Sequence, residues 1–86
     1  MINRVELSTT AARQLKKFAP DVRRRMQGVF ELLAQDPRPP SAIQLVGGSG
    51  EWRVRTGDYR VIYDIDAHRI LVLVLRIGHW RDNYRH

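Results

Sequence analysis

The chain contains no cysteine, which excludes disulfides and thiolate–zinc centres and fits a reducing compartment. Long apolar runs are also missing. The longest, 70–75, has the length of a strand and falls far short of the ~18 apolar residues a membrane span requires. In MINRVELSTT no basic start leads into an apolar stretch, so no secretory leader is expected. From these absences a cytoplasmic protein with no membrane partner is expected. Proline is scarce, at four residues, against a hydrophobic fraction of 43%, a balance that favours a packed globule over a disordered tail. Acidic residues are outnumbered nine to fifteen, and the formal charge is +6. Such an excess on so small a chain points to an anionic partner: nucleic acid, an acidic protein, or both.

Eighty-six residues make a single domain, 1–86, near the lower limit for folding on burial alone. Residues 3–7 alternate Val5 and Leu7 with Arg4 and Glu6, the pattern of a half-buried strand. Ser8, Thr9 and Thr10 offer N-cap hydroxyls, and Ala11, Leu15 and Phe18 then recur at helical spacing. Pro20 ends this short helix and opens a second, with Asp21 in a first turn that favours negative charge. Val22, Met26, Val29, Phe30 and Leu33 form its apolar stripe, and Arg23, Arg24 and Arg25 lie mostly off it. Gly28 costs about 1 kcal/mol against alanine there, so a close helix contact is expected. DPRPP stops the second helix, and residues 41–50, ending in GGSG, read as a flexible connector. Three strands follow at about 51–56, 59–65 and 69–77. The order is β-α-α-β-β-β: an α+β domain with two helices packed on one face of a mostly antiparallel four-stranded sheet.

Gly57-Asp58 is a Gly-first pair suited to a two-residue type II′ turn. That turn sets Trp52 opposite Tyr63, Arg53 opposite Ile62, Val54 opposite Val61 and Arg55 opposite Arg60. One side of the hairpin then carries apolar residues for the helices, and the other carries Arg53, Arg55, Arg60 and Ile62. Like charges directly opposite each other destabilise a sheet, so the fold itself gives no reason for Arg55 to face Arg60. An anion between them does, because guanidinium groups grip phosphate bidentately. The competing reading is that Asp58 or Asp64 neutralises the patch, or that the arginines splay into water.

The last strand, RILVLVLRIG, is apolar on both faces and is expected to be central. Beyond Gly78 come His79, Arg81, Tyr84 and Arg85, which pairing of the last two strands brings near Arg60. Arginines, an imidazole and a phenol gathered there suit acid–base work on a phosphodiester. The histidines at 68, 79 and 86 lack metal-ligand spacing and the carboxylates are scattered, so neither a metal nor a cofactor is expected. GGSG leads into a strand without a following Lys-Ser/Thr and is no phosphate loop.

DPRPP, WRVRTGDYRVIYDI and VLRIGHWRDNYR, in that order and spacing, resemble the RelE/ParE superfamily of toxin–antitoxin toxins, on the RelE side. The resemblance implies a small α+β ribonuclease that enters the ribosomal A site and cuts mRNA, the ribose 2′-hydroxyl attacking its neighbouring phosphate. By position, Arg53, Arg55 and Arg60 match the family's sheet-borne basic residues, Arg81 falls in its tail motif, and Tyr84 matches the tail tyrosine. The family also implies a cognate antitoxin, RelB-like or similar, with operator DNA reached only through the antitoxin complex. Two departures stand out. Well-studied nucleases of the family carry lysines where this chain has Arg53 and Arg55, and arginine does not deprotonate, which leaves His79 or Tyr84 as the base. Trp80 also replaces a tail arginine of Gly-His-Arg-Arg. The alternatives are a ParE-like inhibitor of DNA gyrase that does no RNA chemistry, and a basic nucleic-acid-binding module.

Overall fold

The computed structural model describes residues 2–47 and 50–79. Among these, the chain forms β1 (Arg4–Leu7), α1 (Thr9–Lys16), α2 (Pro20–Gln35), β2 (Ile43–Gln44), β3 (Trp52–Thr56), β4 (Tyr59–Asp66) and β5 (Leu71–His79). Five strands line up as β1-β5-β4-β3-β2. β1 runs parallel to β5, and the remaining neighbours are antiparallel. The expected two-helix α+β sheet is therefore present, with one strand more than four. The extra strand is β2, two residues of the connector, which neither length nor alternation marks. Ile43 and Gln44 acquire strand geometry only because they pair with Arg53 and Trp52.

Both helices pack on one face. Ser8 caps α1: its Oγ accepts from the Ala11 amide at 3.0 Å and donates to the Leu75 carbonyl at 2.6 Å, tying the cap to β5. Pro20 opens α2, whose buried stripe is Met26, Val29, Phe30 and Leu33. That stripe meets Val54, Val61, Tyr63, Val72, Val74 and Ile77 of the sheet in a continuous core. Gly28 corrects the expectation of a close helix contact. It lies on the exposed side of α2, and a Cβ built on it would meet nothing within 4 Å.

The DPRPP segment clasps the hairpin's core face. The Tyr63 hydroxyl donates to the Pro37 carbonyl at 2.6 Å, and the Arg38 guanidinium lies 5.5 Å from the Trp52 ring centroid. Burial, followed by the nearby Asp36 charge, pushes the Tyr63 phenol up to about 12, with Arg38 opposing.

The β3–β4 turn behaves as Gly57-Asp58 requires. Gly57 has φ +59°, whereas Asp58 is not among the residues of positive φ, which fits type II′. The resulting register pairs Trp52 with Tyr63, Arg53 with Ile62, Val54 with Val61 and Arg55 with Arg60. The last strand begins two residues later than the pattern suggests. Asp66 organises the preceding turn, its Oδ1 accepting from the His68 and Arg69 amides, and Ile70 leaves that turn at φ +52°.

Candidate nucleic-acid cleft

The sheet face away from the helices carries two cross-strand rows. Ile43, Arg53, Ile62 and Arg76 make one, and Arg55, Arg60 and Gly78 make the other. Arg53, Arg60 and Arg76 line a cleft of about 690 Å³, walled by Gln14, Lys17 and Phe18 at the C-terminal end of α1 and by Leu45 after β2. Ile62 forms its floor. It is only 5% exposed although it lies away from the helical core, and its neighbours in the row are Arg53 and Arg76.

Arg76 reaches this face through an irregularity in β5. Val72 and Val74 are fully buried in the core, and strict alternation sends residue 76 after them. Instead Ile62 pairs with Arg76 while Tyr63 pairs with Val74, so Leu75 is an extra residue and the alternation flips. Ile77 enters the core in place of Arg76, which stays exposed.

The positive charge of the cleft has no ion-pair partner among the described residues. Among the described residues the ion pairs are Arg4–Glu6 and Arg69–Asp66, both remote from it, so neither Asp58 nor Asp64 neutralises the patch. Arg53 Nε and Arg60 Nε are buried without a hydrogen-bond partner among the described residues. Buried guanidinium donors are normally satisfied, so these mark a place where an acceptor belongs. Arg53 is held below its ordinary pKa, first by desolvation and then by the charges of Arg60 and Arg55. It remains a cation at neutral pH.

The residues singled out from sequence are distributed unevenly. Arg53 and Arg60 share the cleft, and Arg55 stands exposed on the same face opposite Arg60. His79 is close to Arg60 along the sheet but turned to its other side. It pairs with Tyr59, and the two rings meet edge-on at 5.4 Å, with Phe18 on Tyr59 at 5.3 Å. Arg81 and Tyr84, like Trp80, lie outside the described residues. Sequence reasoning misses Arg76, Lys17 and Gln14. A single cation two residues before Gly78, closing an otherwise apolar run, is the one signal that marks Arg76.

Among the described residues no three His, Cys, Asp or Glu side chains gather as a metal-ion site. No helix among them is long and apolar enough to cross a membrane.

Comparison with known proteins gives a consistent result. A family model described as the ParE toxin of type II toxin–antitoxin system, parDE, matches residues 5–84. Toxin RelG of Mycobacterium tuberculosis (strain ATCC 25618 / H37Rv) is 32% identical over 82 residues, 94% of either chain. Among solved structures, the toxin–antitoxin complex RelBE2 of Mycobacterium tuberculosis contains a chain that superposes with TM-score 0.83 at 30% identity, covering 92% of this chain and 99% of that one. A chain of the archaeal RelE–RelB complex from Pyrococcus horikoshii OT3 gives 0.80 at 26% identity, with 92% and 96% covered.

Proposed function

The chain belongs to the ParE toxin family of type II toxin–antitoxin systems, within the RelE/ParE superfamily, and from that premise we propose that it is a ribosome-dependent endoribonuclease that cuts mRNA in the ribosomal A site. One observation carries this reading: a concave sheet face with Arg53, Arg55, Arg60 and Arg76, no counter-ion among the described residues, and two buried guanidinium nitrogens without acceptors. A phosphodiester supplies what is missing.

In this reaction the 2′-oxygen bonds to the adjacent phosphorus and the bond from phosphorus to the 5′-oxygen breaks. The products are a 2′,3′-cyclic phosphate and a 5′-hydroxyl. One proton leaves the 2′-hydroxyl for a base, and one reaches the departing 5′-oxygen from an acid. Arg53 and Arg60 hold the non-bridging oxygens as charge builds on them, and Arg55 adds its field from the same face. None of the three exchanges a proton near neutrality. Proton transfer is therefore assigned to the chain after Gly78: to Tyr84, or to His79 once its ring leaves Tyr59 on the other side of the sheet, with Arg81 adding charge. His79→Ala and Tyr84→Phe, compared in single-turnover cleavage across pH, separate the two.

The relatives from Mycobacterium tuberculosis and Pyrococcus horikoshii are seen in complexes of RelE with RelB type. A RelB-like antitoxin is accordingly the partner proposed here, a segment with acidic residues laid on the basic face, and operator DNA is contacted only through that complex.

A second reading is the ParE-like one, inhibition of DNA gyrase without RNA chemistry; the ParE name of the matching family model is what supports it. Induction without antitoxin separates them. Methionine incorporation falls before thymidine incorporation if the protein is a nuclease acting on translation. The reverse order, with gyrase-linked DNA breaks, supports the second reading.

A further inference from the structure

Arg76, Lys17 and Gln14 form the α1 side of the cleft, and the cleavage chemistry above employs none of them. Their arrangement is nevertheless specific. β1 pairs with β5 only as far as Val74, which leaves the backbone edge of β5 beyond it to be satisfied by α1. Ser8 Oγ donates to the Leu75 carbonyl, and Gln14 Oε1 accepts from the Ile77 amide at 2.6 Å. That second bond fixes which way the Gln14 amide points, because only its oxygen can accept. Its two N–H donors are left for the cleft that the residue lines.

Lys17 follows at the C-cap of α1, where the helix dipole favours a cation. Arg76 completes the group, turned outward by the irregularity at Leu75. All three are donors, and among the described residues none that lines the cleft carries a carboxylate. Arg76 stands two strands from Arg53, roughly 10 Å at the backbone given the usual strand spacing, and is a diagonal neighbour of Arg60, about 7–8 Å away. A phosphate seated between Arg53 and Arg60 therefore leaves Lys17, Gln14 and the α1 side of Arg76 for a second one.

We propose that Gln14, Lys17 and Arg76 are a second phosphate subsite, which takes the phosphodiester adjacent to the scissile one in the same RNA strand. The inference rests on the nuclease reading above and deepens it. A polymer whose scissile phosphate sits at Arg53 and Arg60 must leave the cleft on one side or the other. On the α1 side it meets three donors at the next repeat of its charge, whereas on the β2 side the wall is Leu45. That regular spacing of charge along one strand favours RNA over an acidic peptide as occupant. The subsite fixes the direction of the strand and so decides which 2′-hydroxyl faces the scissile phosphate.

The test is fluorescence anisotropy at low salt with a short single-stranded RNA carrying a 2′-deoxy sugar at the cleavage position, so that binding is read without reaction. Versions are made in which the scissile phosphate or either flanking phosphate is replaced by a neutral methylphosphonate. For the wild-type chain, one flanking replacement, and not the other, is expected to weaken binding about tenfold or more, the range of a charge-assisted hydrogen bond. In a Lys17→Ala/Arg76→Ala chain that same replacement costs nothing further, and the salt slope falls by about 0.7 for each cation–phosphate pair removed. Arg76→Lys keeps the slope. Melting temperatures equal to wild type exclude loss of fold.

Two flanking replacements that cost the double variant as much as the wild type overturn the subsite. If the scissile replacement still weakens binding in that case, the nuclease reading survives alone. If no replacement matters or the RNA does not bind, the subsite falls, and the nuclease reading stands or falls separately on cleavage of mRNA in the presence of ribosomes. A Glu-rich peptide whose affinity depends on Arg76 while the RNA's does not identifies a protein contact and likewise overturns the proposal.

Discussion

Arg55 and Arg60 face each other directly across β3 and β4, and no carboxylate among the described residues lies within ion-pair distance of either. A sheet gains from opposite charges in such a position and loses from like ones, by ~0.2–1 kcal/mol. Arg53 adds a third cation on the same face, held below its ordinary pKa first by desolvation and then by the charges of Arg60 and Arg55. The cost to the fold is the basis of the first prediction. Arg60→Ala should leave the melting temperature unchanged or slightly raised, while cleavage falls by ~10²–10³, the usual loss for one donor to a developing oxyanion. Arg60→Lys should recover activity only in part, because it restores charge without the bidentate grip. A variant that melts early and cleaves normally would make Arg60 a structural residue.

Gly28 gives a prediction of opposite character. It sits exposed within α2, and a Cβ added there would meet nothing within 4 Å, so its main effect on the free chain is the flexibility it lends the unfolded state. Gly28→Ala should stabilise by about 1 kcal/mol, roughly 4–8 °C in Tm for a domain of this size. A lower Tm in calorimetry would show that the helix surface there is under a constraint of packing.

The hairpin is legible in the sequence because its turn chemistry and its alternation agree. Gly57-Asp58 selects the register, and that register sends Val54, Val61 and Tyr63 inward and the arginines outward. Arg76 is not legible. Its place depends on one extra residue, Leu75, which is itself secured by Ser8 sixty-seven residues earlier in the chain. No local pattern encodes such a tie. β2 is hidden for a similar reason, since two residues are too few for a periodicity. The position of His79 shows the limit of proximity in sequence: one residue past Gly78 reverses the side of the sheet, and the imidazole packs on Tyr59 rather than in the cleft.

Tyr63 links the DPRPP segment to pH. Its phenol is fully buried, donates to the Pro37 carbonyl and titrates at about 12, above the value near 10 of an unfolded chain. The folded state therefore favours the protonated form. This contribution is complete below pH 10 and is lost as pH rises from 10 to 12. Tyr63→Phe should lower the melting temperature at pH 8, through the absence of a hydrogen bond of ~1 kcal/mol. The gap to wild type should then narrow between pH 10 and 12. A constant gap over that range would mean that Tyr63 does not ionise with unfolding.

Ile70 holds a left-handed backbone, φ +52°, which a β-branched side chain adopts only under strain. Its carbonyl accepts from the Arg4 amide at 2.9 Å, so the conformation fixes where β1 meets β5. Ile70→Asn should relieve about 1–2 kcal/mol of strain, set against the smaller apolar burial of a half-buried position. Melting at or above the wild-type temperature is the expected result. A fall of several degrees would show that packing of the isoleucine outweighs the backbone cost.

Above all, the arginine face is proposed to serve the cutting of mRNA on the ribosome. Primer extension on a defined mRNA in a reconstituted translation system tests this most directly. Cuts are predicted within the translated frame that require ribosomes, are abolished by the antitoxin, and nearly vanish with Arg60→Ala. Intact mRNA under the same conditions, together with gyrase–DNA cleavage complexes formed by the purified chain, would contradict it.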